Sequence, residues 1–169
     1  MPPRARPPGP LTHEELRETL DYNPETGWLT WKVRRSRIQK GERAGGQHGK
    51  GHRALIVAGF GFLEHRLIWF WMTGALPPKE RYIDHKNRKS DDNRWCNLRL
   101  ATHGQNYVNS KVFGRMRGIM KRGENSYRVR VNDGQGRRLS FTAHSYLAAR
   151  RLRNRLEKQY WGEFACARR

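Results

Sequence analysis

The chain has 169 residues, with 35 Lys+Arg against 15 Asp+Glu and a formal charge of +20. Such an imbalance makes a compact state repel itself unless a polyanion neutralises it, which puts nucleic acid first and a membrane surface second among partners. Six Trp and six Phe exclude a globally disordered chain. The longest apolar run, Leu67 to Met72, is far short of the ~20 residues that span a bilayer and too short for a signal-peptide core. A cytoplasmic protein is therefore expected. Cys96 and Cys166 form no CxxC pair, so structural zinc is not expected and a lone disulfide is disfavoured.

Residues 1–10 carry five prolines and two arginines and read as an extended tail. Thr12-His13-Glu14-Glu15 has the pattern of a capping box, with Leu11 and Leu16 spaced as a hydrophobic staple. The helix it opens should run to about Leu20. Asn23 to Gly27 reads as a turn and Trp28 to Val33 as a strand. The basic, Gly-rich stretch from Arg34 to Arg53 reads equally as a phosphate-contacting loop or as a solvated one. Ala54 to Ala58 suits a buried strand, Gly59-Phe60-Gly61 a tight turn, and Leu63 to Thr73 a helix apolar nearly all round. His65 on that helix reads as a packing residue rather than a ligand.

The stretch from Arg81 to Ser110 holds the chemistry-bearing side chains: Asp84, His85, Asn97 and Asn106. A nuclease needs a group to activate water at a scissile phosphate, and a neutral imidazole with an unperturbed pKa of ~6.5 is suited to that. It also needs charge neutralisation at the leaving oxygen, which a hard cation on oxygen ligands supplies. Asp84 and His85 fall at the end of a strand, because the polar stretch from Lys86 to Asn93 cannot continue it. Leu98 to Ala101 can pair back as a second strand. Thr102-His103-Gly104-Gln105 is a second capping-box pattern and places Asn106 one turn into a helix.

Downstream, Gly114 to Lys121, Ser126 to Asn132 and Arg137 to Thr142 read as three strands joined by hairpin-like turns. A helix from about Ser145 to Tyr160 carries the apolar stripe Ala149, Leu152, Leu156 and Tyr160. Its arginines Arg150, Arg151, Arg153 and Arg155 read mainly as a solvated face. Alternation in the strands turns Tyr127, Val129, Val131, Leu139 and Phe141 toward the helix. Arg128, Arg130, Arg138 and Ser140 share the opposite face, with Arg115 and Arg117 expected to join them.

Two resemblances follow. His65-Arg66-Leu67, Asp84-His85, Asp92-Asn93, Asn97-Leu98-Arg99, Ala101-Thr102 and Asn106 together resemble the HNH nucleases with their ββα-metal finger, most closely the phage and intron-encoded homing endonucleases. The resemblance implies His85 as general base and Asp84 with Asn106 as ligands of one divalent cation, Mg2+ or Mn2+. It implies that Asn97 ties the loop and orients the His85 ring through its carboxamide oxygen. The Asp92-Asn93 pair departs from the usual Asn-Asn. The run from Gly114 to Ala165, clearest at Tyr160-Trp161-Gly162-Glu163-Phe164-Ala165, resembles the ethylene-response-factor (APETALA-type) DNA-binding domain. That likeness implies a sheet entering a major groove, with Arg115, Arg117, Arg128, Arg130, Arg138 and Ser140 contacting double-stranded DNA.

The expected architecture is α+β. A tail at 1–10 leads to an N-terminal α+β segment at 11–62 and an HNH nuclease domain at 63–112. A three-stranded antiparallel sheet packed on one helix follows at 113–169. The expected function is a metal-dependent DNA endonuclease that nicks or cleaves double-stranded DNA at a recognised site. The alternative is a non-catalytic DNA-binding protein that retains the finger as a scaffold.

Overall fold

A computed structural model describes residues 11–34, 36–109 and 118–165. The tail at 1–10, Arg115, Arg117 and Cys166 lie outside the described residues, as does the beginning of the strand expected from Gly114. The chain is mixed α+β and divides into two compact units, 1–100 and 101–169.

The first unit opens with α1 (His13–Thr19), β1 (Leu20–Asn23) and β2 (Trp28–Trp31). The Thr12 hydroxyl accepts from the Glu15 N–H and the Glu15 carboxylate accepts from the Thr12 N–H, both at 3.1 Å, so the capping box is formed. β1 and β2 make an antiparallel hairpin around the Asn23–Gly27 turn. A second sheet holds β3 (Gly46–Gln47), β4 (Arg53–Val57) and β5 (Phe60–Leu63) in that order.

Two expectations change here. The tight turn is Ala58-Gly59, both at positive φ (51° and 88°), and Phe60 pairs with Val57 as the first residue of a new strand. A two-residue hairpin loop with both φ positive matches the twist of the strands it joins. The strand before it is only half-buried, since Leu55 and Val57 face the core while Ile56 is 65% exposed.

α2 (Glu64–Thr73) ends where Gly74 takes the left-handed conformation and returns its N–H to the Phe70 carbonyl. Leu67 and Ile68 on this helix are fully buried, each worth about 1.5–3 kcal/mol by transfer. β6 (Tyr82–His85) and β7 (Leu98–Ala101) pair as a separate two-stranded sheet. One core joins these pieces: Leu16, Leu20, Tyr22, Leu29, Leu55, Val57, Leu67, Ile68, Ile83 and Leu98 belong to a single buried cluster.

The second unit contains α3 (His103–Asn109), β8 (Ile119–Gly123), β9 (Ser126–Asn132), β10 (Arg138–Ala143) and α4 (Tyr146–Trp161). β9 is the central strand of an antiparallel sheet in the order β10-β9-β8. Val129, Val131 and Ala143 pack with Ala149 and Leu156 of α4 in a second core. The Ser145 hydroxyl caps α4 through the Ala148 N–H at 3.1 Å.

Arg153 departs from the solvated face expected for it. It is 3% exposed and its Nε donates to Glu157 Oε1 at 2.7 Å. A guanidinium one turn before a carboxylate is neutralised within the helix, which allows both to be buried. No helix among the described residues is long and apolar enough to cross a membrane.

Candidate active site

β6 delivers Asp84 and His85, 5% and 6% exposed, to the end of the strand, and the chain then leaves the sheet. The Lys86 N–H meets the Asn97 carbonyl at 2.9 Å, closing a loop from 86 to 97. Asn97 stitches that loop from inside. Its Nδ2 donates to Asp92 O at 2.7 Å and to Asn87 Oδ1 at 3.0 Å, while its Oδ1 accepts from the Asn87 N–H at 3.0 Å. The Asp92 carboxylate takes a two-pronged grip from Arg94 Nε and Nη2 at 2.8 and 2.7 Å. Arg94 first, and then Asn87, hold the Asp92 carboxyl down at about 2.

The carboxamide oxygen at the His85 ring belongs to Asn93, not to Asn97. Asn93 Oδ1 lies 2.9 Å from His85 Nε2, and Asn93 is 1% exposed. Its Nδ2 donates to Glu64 Oε2 at 3.0 Å, and the same oxygen accepts from Arg53 Nε at 2.9 Å. Glu64, at the first position of α2, is fully buried. Burial raises its pKa and the Arg53 guanidinium pulls it back down. Arg53 is held in turn, with Nη2 on the carbonyls of Ala44 and Gly45 at 3.2 and 2.9 Å.

Three imidazoles meet beside this chain of contacts. The His65 ring centroid lies 5.2 Å from that of His85, edge-on, and 5.1 Å from that of His52. Burial first, then the charge that His85 and His52 would carry, push His65 down to about 3. His65 packs its ring edge-on against His85. Asp84 is held by Arg99, whose Nε donates to Asp84 Oδ2 at 2.8 Å with both side chains buried.

Asn106 stands on α3 in the second unit, half-buried, with its N–H on the Thr102 carbonyl at 3.0 Å. The expected capping box is present there: Thr102 N–H donates to Gln105 Oε1 at 2.7 Å and Gln105 N–H to Thr102 Oγ1 at 3.2 Å. In the same unit the registers Arg130↔Ser140, Asn132↔Arg138 and Arg128↔Thr142 put Arg128, Arg130, Arg138 and Ser140 on one face of the sheet. That is the face opposite Val129 and Val131, which are buried against α4.

Among the described residues, no group of three or more His, Cys, Asp or Glu side chains is placed to hold a metal ion. Asp84 carries a carboxylate and Asn106 a carboxamide, and oxygen groups of these kinds suit Mg2+ or Mn2+ rather than zinc. Arg99 fixes the Asp84 carboxylate through its Oδ2.

The sequence that carries this site is similar to known proteins. Residues 62–108 match an HNH endonuclease domain. The matched span takes in α2, the Asp84-His85 strand end, the Asn97 loop and Asn106. The chain is also 30% identical over 102 residues to an uncharacterized HNH endonuclease of Acanthamoeba polyphaga mimivirus, covering 60% of this chain. It spans 54% of that relative's length. No solved structure matches.

Within the matched span, sequence reasoning named Asn93 and Arg99 only as motif positions without a role and passed over Glu64, and Arg53 lies just before it. Two carried a signal. Glu64 is a carboxylate opening a helix that is otherwise apolar nearly all round, and Arg99 sits between Leu98 and Leu100 in a short strand.

Proposed function

We propose that the chain is a metal-dependent DNA endonuclease of homing type that nicks or cleaves double-stranded DNA at a recognised site. The observation that carries this reading is a buried His85, hydrogen-bonded to Asn93 at a strand end inside the HNH-matched segment. An imidazole with Nε2 against a carboxamide oxygen bears its proton there, so Nδ1 is the basic nitrogen. In this reading His85 takes the proton of the attacking water. Asp84 and Asn106 hold one divalent cation, which neutralises charge on the leaving oxygen when bound. Asn97 keeps the 86–97 loop closed so that the strand end keeps its shape. The arginine-lined sheet of the second unit binds DNA through Arg128, Arg130, Arg138 and Ser140, and the contact set extends in the sequence to Arg115 and Arg117.

Supercoiled plasmid incubated with the protein in Mg2+ or Mn2+ should give nicked or linear product, and EDTA should stop it. His85→Ala should slow product formation by about 10²–10⁴-fold while DNA binding in a gel-shift assay stays intact. Cutting by His85→Ala at the wild-type rate would refute the general-base role. Intact binding with no product from the wild type would instead leave a non-catalytic DNA-binding protein.

A further inference from the structure

The His85 ring is fixed by a line of contacts that begins 21 residues upstream, at Glu64. A carboxamide is nearly symmetric in shape, so packing alone does not decide whether its oxygen or its nitrogen faces a neighbour. The neighbours of Asn93 do decide it. Glu64 Oε2 accepts at 3.0 Å, so the group turned toward it must be the Asn93 NH2. The Asn93 oxygen is thereby turned toward His85 Nε2, 2.9 Å away. An amide oxygen only accepts, so that ring nitrogen must carry hydrogen in the neutral imidazole.

We infer that Glu64 is a positioning residue. Through Asn93 it selects the Nε2–H tautomer of His85 and leaves Nδ1 as the basic nitrogen. This inference rests on the nuclease reading above for its consequence on rate, but not for the tautomer itself.

Burial makes the selection firm. Glu64 is 0%, Asn93 1% and His85 6% exposed, so bulk water does not stand in for a missing partner. The backbone of Asn93 is pinned independently, its carbonyl accepting from Tyr22 OH at 2.9 Å. Only the side-chain amide is therefore left to be set, and a half-turn about its last bond would reverse the tautomer. Arg53 fixes the acceptor itself, since it addresses the same Oε2 from the other side and is tied to two carbonyls. In Glu64→Gln the side-chain oxygen can take the Oε2 position and keep both donors, Asn93 Nδ2 and Arg53 Nε.

The test uses the full chain with 15N-labelled histidine rings and two-bond 1H–15N correlation spectra, which separate a protonated from a bare ring nitrogen. The His85 signals are assigned by their loss in His85→Gln. Wild type and Glu64→Gln should both show His85 protonated at Nε2. The pair Arg53→Met/Glu64→Met removes acceptor and cation together, so no lone charge is left buried to unfold the chain. With its fold confirmed by a cooperative melt, it should show a mixture of tautomers and nick plasmid about 10–100-fold more slowly.

A folded double variant that keeps Nε2–H and nicks at the wild-type rate would overturn the positioning role. A tautomer shift in the double variant, with no nicking by the wild type, would uphold that role and sink the nuclease reading. Nicking by the wild type with an unmoved tautomer in the double variant would sink the positioning role alone.

Discussion

Asn93 and Asn97 lie four positions apart on one loop and have separable tasks. The Asn97 side chain makes three hydrogen bonds that all stay within the 86–97 loop. Asn93 looks outward from the loop to Glu64 and His85. Replacing Asn97 by Ala removes three bonds at a buried position, a loss of about 3 kcal/mol at ~1 kcal/mol each. Urea unfolding should show a lowered midpoint with the slope unchanged, and nicking should slow, while the His85 ring keeps its wild-type tautomer because Asn93 is anchored elsewhere. A tautomer change in Asn97→Ala would return the orienting role to Asn97. The sequence could not separate the two. Spacing from His85 drew attention to Asn97, but a turn-rich loop has no periodicity to tell which carboxamide points inward. Glu64 and Arg53 were hidden for a related reason, since they reach the site only through tertiary packing of α2 and β4.

At the scale of elements, the N-terminal hairpin acts as a clamp on the far side of the loop. Tyr22 OH meets Asn93 O, the Trp95 N–H lies 3.3 Å from Pro24 O, and the Gly27 backbone presses on residues 93 and 94. A Cβ on Gly27 would lie 2.3 Å from Arg94 N, and φ there is +74°. Gly41 has φ +88° but open space around it, so it isolates the backbone term. Gly41→Ala should cost about 1–2 kcal/mol. Gly27→Ala should cost more, because main chain must move, and should lower nicking as well as melting temperature. Equal melting shifts for the two variants would show that the clamp does not bear on the loop. Half of the hairpin was legible: β1 was not, but Asn23 to Gly27 supplies the turn and the alternation read over Trp28 to Val33 the second strand, which ends at Trp31. Both capping boxes were equally plain. The Ala58-Gly59 turn was not, because an alanine at positive φ carries no turn signal and only pairing of Phe60 with Val57 places it there. Helical spacing likewise located Arg153 but could not reveal that Glu157 would neutralise it.

For the molecule as a whole, a charge of +20 favours a polyanionic partner, and the sheet face in the second unit concentrates part of it. Arg128 and Arg130 lie on the central strand, and Arg138 lies beside them on β10. The inner face of that sheet packs on α4, whereas Arg138 and Ser140 on the other face are exposed. Each phosphate neutralised on duplex DNA releases counterions and adds ~0.9 to the fall of log affinity with log salt. If Arg128 and Arg130 each neutralise one phosphate, Arg128→Ala/Arg130→Ala should make the slope shallower by about 1.8. The cores of both units are untouched by these changes, so the melting temperature should hold. Arg150→Ala/Arg151→Ala, on the exposed side of α4, serves as the matched control for lost charge at other sites. Titrations of fluorescent duplex at several salt concentrations measure all three slopes. Equal shallowing by the two pairs would mean that the sheet contributes only diffuse charge, whereas a change confined to the sheet pair would identify it as the DNA-facing surface.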